Sequence, residues 1–154
     1  MECALIKRVH HTSFTVADMD RSVHFYRDLL GYEFINEQGG KLPYLAEITS
    51  FAEADLRVVF LRPTPETDTF LELIQYRWPV GTPADVRTCN PGSAHICMIV
   101  DGIHGEYERL RAAGVKFRSA PVAITAGRNK GGFSVYFEDP DGITLEFIQP
   151  APQA

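Results

Sequence analysis

The sequence predicts an α+β fold built from two tandem βαβββ modules, and three observations predict it. Residues 71–75 read LELIQ and residues 145–149 read LEFIQ, an echo 74 positions apart near the end of each half. Self-similarity of this kind is the mark of an internally repeated architecture. Each half opens with an apolar run, then an aspartate, then a segment of helical spacing stopped by a glycine. Each half closes with two runs of strand character.

The first module opens with the run Val9–Val16. Asp18 follows as an N-cap, since its carboxylate can accept from the free N–H groups of a first helical turn. Met19, Val23, Tyr26 and Leu30 then recur at i, i+4, i+7 and i+11, an amphipathic helix, and Gly31 supplies its C′ position. The triplet YEF starts a second strand, residues 38–55 read as a flap or irregular strand, and LRVVFL (56–61) and TFLELIQY (69–76) complete the module. Residues 78–92, with three prolines and two glycines, read as a linker. The second module repeats the order: Ala94–Val100, Asp101 as cap, a helix on Ile103, Tyr107 and Leu110, Gly114, and VKF. FSVYF (133–137) and ITLEFIQ (143–149) then flank the turn Asp139-Pro140-Asp141-Gly142. Module one spans about 8–77 and module two about 93–150 within one domain, 1–154. Duplication is the economical reading, because one curved sheet with one helix leaves a face uncovered.

Composition narrows the function classes. A chain of 154 residues with 45% apolar and 23% charged residues has the makeup of a soluble globular domain. A net charge of −5 argues against non-specific nucleic-acid binding, which needs a basic footprint. The opening MECALIKRVHH lacks the apolar core of a signal peptide, and no apolar run approaches the about 20 residues of a membrane span. Cys3, Cys89 and Cys97 are odd in number and lack CxxC spacing, as suits a reducing cytoplasm; the expected location is cytoplasmic.

Alternation along each strand sorts side chains into two faces. In the opening strands His10, Thr12, Phe14 and Val16 share one face and His11, Ser13 and Thr15 the other. Ile96, Met98 and Val100 likewise oppose His95, Cys97 and Ile99. In the closing strands Leu71 and Leu73 oppose Glu72, and Leu145 and Phe147 oppose Glu146. Each module therefore offers one histidine and one glutamate on the face away from its helix. A carboxylate among aliphatic neighbours needs a partner. A half-polar antiparallel sheet would account for any one of these residues alone. Their recurrence in one register favours a divalent ion with nitrogen and oxygen ligands, such as Zn, Ni, Co, Mn or Fe.

The stretches VHHTSFTVADMDRSVHFYRDLLGYEF, AHICMIVDGIHGEYERLRAAGVKF and VYFEDPDGITLEFIQP resemble the vicinal oxygen chelate superfamily, which includes glyoxalase I, methylmalonyl-CoA epimerase, extradiol dioxygenases and bleomycin-resistance proteins. The resemblance spans nearly the whole chain and is weakest over 36–55 and the linker. It implies paired modules forming a curved, half-barrel mixed-sheet cleft, with a metal held by His11, Glu72, His95 and Glu146. The full His/Glu/His/Glu set is similar to that of the lyase, isomerase and epimerase branch, where the metal polarises substrate oxygens and stabilises an enediolate. Extradiol dioxygenases keep two His and one Glu, and drug-binding members have lost the set; a ring-cleaving dioxygenase and a bleomycin-resistance-like binding protein are the alternatives.

Proton abstraction beside a carbonyl requires a carboxylate base, and the candidates are Glu146, Glu72 and Glu47, the last within LPYLAEITSF. TAGRNKGG (125–132) lacks P-loop spacing but carries Arg128 and Lys130, candidates to meet an anionic substrate such as a thioester or hemithioacetal. Cys97 is a candidate to line the cleft, against the plainer reading of a buried structural thiol. The resemblance also implies a homodimer.

Overall fold

The computed structural model describes residues 5–152, so Cys3 lies outside the described residues. The chain divides into two compact units, residues 1–82 and 83–154. The boundary falls inside the proline-rich stretch 78–92. Among the described residues, no helix is long and apolar enough to cross a membrane.

Unit 1 contains β1 (His11–Thr15), α1 (Met19–Val23), a π-helical continuation (His24–Leu29), β2 (Glu33–Lys41), α2 (Pro43–Thr49), β3 (Asp55–Arg62) and β4 (Phe70–Trp78). Its sheet has the order β1-β4-β3-β2, with β1 parallel to β4 and the other pairs antiparallel. Asp18 caps α1 as expected, its Oδ1 accepting from the Arg21 amide at 3.0 Å. Met19, Tyr26, Leu71, Leu73, Val59 and Leu61 are fully buried, so α1 lies on the aliphatic face of β3 and β4. The widening to a π-helix is not visible in the spacing, since Met19, Val23 and Tyr26 remain on one side either way. Gly31 ends this helix at φ +79°, a conformation that a side chain disfavours.

Residues 38–55 are more ordered than a flap. The second strand continues through a bulge between Phe34 and Asn36 out to Lys41, and α2 then turns back over the sheet. Leu45 of α2 packs with Leu56 and Val58, against Phe60, Ile74 and Tyr76. That places α2 on the face opposite α1, covering one end of it. Tyr32, where the π-helix leads into β2, is 5% exposed, and burial pushes its phenol up to about 12. Because the folded chain holds this proton more tightly than an unfolded tyrosine near 10, the contribution is complete below about pH 10. It is lost as pH rises from about 10 to 12, by up to about 3 kcal/mol. Urea unfolding across that window should show the loss, and Tyr32→Phe should flatten it.

Unit 2 contains β5 (Ile96–Ile99), α3 (Ile103–Ala112), β6 (Lys116–Phe117), β7 (Val122–Ala123), β8 (Phe133–Glu138) and β9 (Thr144–Gln149). The sheet order is β5-β9-β8-β6, with β7 also paired to β8 and β5 parallel to β9. Ile103, Leu110, Val135, Phe137, Leu145 and Phe147 form its core. The Asp139 turn forms as expected: Oδ1 accepts from the amides of Asp141 and Ile143 at 2.9 and 2.8 Å.

One expected cap is corrected. Asp101 does not cap α3; the N-cap is Gly102 at φ +70°, with no side-chain hydrogen bond of its own. The cap comes instead from Gln149 of β9, whose Oε1 accepts from the Ile103 amide at 2.8 Å. Gln75 of β4 does the same for α1, accepting from the Met19 amide at 3.4 Å while its Nε2 donates to the Ala17 carbonyl at 3.0 Å. The final residue of each LE[LF]IQ echo thus ties the closing strand of a module to the start of its helix.

Candidate functional site

The two echoes place their glutamates alike. In unit 1 the parallel register sets Ser13 beside Glu72 and His11 beside Phe70. The His11 side chain reaches along the face, and its Nε2 lies 3.4 Å from Glu72 Oε2. In unit 2 Cys97 stands beside Glu146, and His95, just before β5, brings Nε2 to 3.2 Å from Glu146 Oε2. Both histidines use Nε2. Both glutamates are largely covered, with side-chain exposures of 14% and 12%, while the histidines are near 38% and 36%.

These separations suit a shared ion. Two donors each about 2.1 Å from one metal, at right-angled to tetrahedral spacing, lie about 3.0–3.4 Å apart. Each pair also has an outer partner, of the kind that orients metal ligands. His11 Nδ1 shares a 2.8 Å hydrogen bond with His10 Nδ1, which leaves Nε2 facing Glu72. His10 therefore pairs locally and stacks near Phe70 rather than packing beneath the helix. Glu146 Oε1 accepts from Ser134 Oγ at 2.6 Å. In each unit the donor chemistry, one imidazole nitrogen and one carboxylate oxygen, is of the kind a divalent cation accepts. Among the described residues no group of three or more His, Cys, Asp or Glu side chains is gathered that could hold an ion, so within each unit the donors come as a pair.

The surroundings of the two pairs differ. Across from Glu146 and Ile148 on β8 stand Tyr136 and Ser134; across from Glu72 and Ile74 on β3 stand Phe60 and Val58. Glu146 is thus fixed by three groups, His95, Ser134 and the Cys97 thiol, whereas the neighbours of Glu72 on β3 carry no donor. Cys97 is exposed as a residue, which corrects the buried-thiol reading. Local burial, the charge of Glu146 and a hydrogen bond to it push the thiol up to about 12, so it stays protonated. The Tyr136 phenol is raised for the same first two reasons.

The remaining candidates stand on a helix and in a loop. Glu47 is exposed on α2. Arg128 and Lys130 sit exposed in the loop joining β7 to β8, which is closed by hydrogen bonds between Ile124 and residues Gly131 and Gly132. Sequence reasoning missed Ser134 as a partner of Glu146 and both capping glutamines. The glutamines stood inside the echo itself, where only the glutamate was read.

Residues 8–147 match the model of the Glyoxalase/Bleomycin resistance protein/Dioxygenase superfamily. The chain is 32% identical to a 2-epi-5-epi-valiolone epimerase from Actinomyces sp over 145 residues, covering 91% of this chain and 78% of that one. It is 30% identical to the lactoylglutathione lyase of Haemophilus influenzae over 145 residues, covering 92% of each. Its fold is similar to that of a glyoxalase family protein from Bacillus cereus, with a TM-score of 0.82, 17% identity and 99% coverage of both chains. A second similar structure is the Leishmania major glyoxalase I, with a TM-score of 0.66, 24% identity and coverage of 94% and 87%. The chain belongs to the Glyoxalase/Bleomycin resistance protein/Dioxygenase superfamily.

Proposed function

We propose that the protein is a divalent-metal-dependent enzyme of the glyoxalase type that removes a proton from the carbon beside a substrate carbonyl, as a lyase or epimerase does. The observation that carries this reading is the repeated Nε2–carboxylate pair, His11–Glu72 and His95–Glu146, at metal-ligand separations on equivalent strands of two modules. Relatives named lactoylglutathione lyase and epimerase support it. His11, Glu72, His95 and Glu146 would hold the ion. When bound, it would polarise the carbonyl and acidify the adjacent C–H.

The chain's own residues divide the remaining work. Ser134 and His95 fix Glu146, so this carboxylate anchors. Glu72, between Phe60 on β3 and Ser13 on β1 and, among the described residues, paired only with His11 at 3.4 Å, is the carboxylate that swings and accepts the substrate proton. Returning that proton to the neighbouring carbon gives an isomer, and protonation of the original carbon on its other face by solvent water, with Glu72 giving its proton to solvent, gives an epimer. His10 holds the tautomer of His11 while Glu72 moves.

The test is exchange of the α-protons of hydroxyacetone with D2O, followed by NMR. Exchange should vanish on chelation and return when Ni, Co, Zn, Mn or Fe is restored. Full exchange by rigorously metal-free protein would overturn the metal-dependent reading, and no exchange with any metal would overturn the enzymatic one.

A further inference from the structure

We infer that the substrate is an uncharged, hydroxylated ring compound, seated in a recess of unit 1 that runs on from the His11–Glu72 pair. The inference rests on the proposed proton-abstracting function and names the substrate class for it. The recess has a volume of about 310 Å³ and is lined by His10, Ile35, Asn36, Gln38, Phe60 and Phe70. It lies on the sheet face that carries Glu72. Phe60 is the cross-strand neighbour of Glu72, Phe70 is that of His11, and Asn36 and Gln38 stand beside Phe60 and Val58. The Phe60 ring lies 5.9 Å from that of His11, so whatever occupies the recess borders the reacting groups.

Three features set the ligand class. Phe60 and Phe70 meet edge to face at 6.2 Å and present aromatic surface suited to the apolar face of a ring. The carboxamides of Asn36 and Gln38 each donate and accept, which matches hydroxyl groups without demanding a charge. Among the described residues the lining holds no lysine, arginine, aspartate or glutamate. Arg62, next beyond Phe60 on that face of β3, is already bonded to Glu33, its Nε donating at 2.9 Å. A carboxylate or phosphate seated against these side chains would find no cationic side chain among them to pair with. The volume also stands at the low end of the about 300–1,000 Å³ typical of ligand cavities. That volume takes one substituted ring.

The test compares the metal-loaded native protein with the double variant Asn36→Lys/Gln38→Lys, using three probes. Hydroxyacetone is too short to need the recess and reports proton abstraction itself. α-Hydroxycyclohexanone is the neutral ring, and the hemithioacetal of methylglyoxal and glutathione is the anionic alternative. Native protein should show a kcat/KM for the ring at least about tenfold above that for the hemithioacetal. The double variant should lower the ratio of ring to hydroxyacetone kcat/KM at least about tenfold. Calorimetric titration with α-hydroxycyclohexanone should show binding to native protein that the double variant loses, a readout independent of turnover. Preference of native protein for the hemithioacetal, equal losses on ring and hydroxyacetone, or equal ring binding by both proteins would each overturn the inference. Failure of hydroxyacetone exchange with ring binding retained would overturn the proposed function and leave the recess assignment standing.

Discussion

Glu72→Gln is expected to slow α-proton exchange by about 100- to 10,000-fold, the range that a positioned general base contributes. The amide keeps the shape and an oxygen donor but cannot accept the proton. The expectation follows from the unlike settings of two like residues. Glu146 accepts from Ser134 Oγ at 2.6 Å and faces His95 Nε2 at 3.2 Å, so withdrawing it from its place would break both contacts. Glu72 faces His11 at 3.4 Å, and opposite it stand Phe60 on β3, which carries no donor, and Ser13 on β1. Ser134→Ala should act in a different way, weakening metal affinity by about 10- to 100-fold as loss of an outer partner does. Competition with a chromophoric chelator measures the affinity, and NMR in D2O measures the exchange. The reverse pattern, with exchange kept in Glu72→Gln and lost in Glu146→Gln, would move the base to unit 2.

Much of this was legible in the sequence because strand alternation is a strong constraint. Once Leu71 and Leu73 are assigned to the core, Glu72 must face away from them, and both are fully buried. The same logic chose His11 over His10. Helix starts were legible only where the cap is local. Asp18 lies three residues before the amide it accepts from, whereas Gln149 lies 46 residues from Ile103, a distance no local rule spans. Asp101 looked like a cap because its type and position fit, yet Gly102 takes the left-handed conformation and the carboxamide of Gln149 supplies the acceptor. The region 38–55 was opaque for another reason. A bulge in β2 breaks the period of two, and α2 is a short helix whose apolar contact falls largely on Leu45. The recess was invisible for the same cause, since Asn36 and Gln38 gain meaning only once the bulge sets them beside Phe60 and Val58.

That bulged strand is also where a small change should cost most stability. A Cβ at Gly39 would stand 2.1 Å from the Leu56 carbonyl oxygen and 2.9 Å from its carbon, both backbone atoms that cannot rotate away. Gly39 also sits at φ +131°, outside the range of ordinary side-chain-bearing residues. Gly39→Ala therefore combines backbone strain of about 1–3 kcal/mol with overpacking of about 1–3 kcal/mol, a loss of about 2–6 kcal/mol. At about 2–4 °C per kcal/mol for a chain of this size, the melting temperature should fall well beyond measurement error. Gly40→Ala is the control. Its φ of +110° imposes similar strain, but nothing lies within 4 Å of the added carbon, so the difference between the two variants isolates the clash. Relief requires β2 to move away from β3, which would shift Gln38 and Asn36 relative to Phe60. At temperatures where Gly39→Ala is still folded, selectivity for the neutral ring should therefore fall more than hydroxyacetone exchange does. Equal melting temperatures for Gly39→Ala and Gly40→Ala would show that β2 yields without cost and that the strand does not fix the recess.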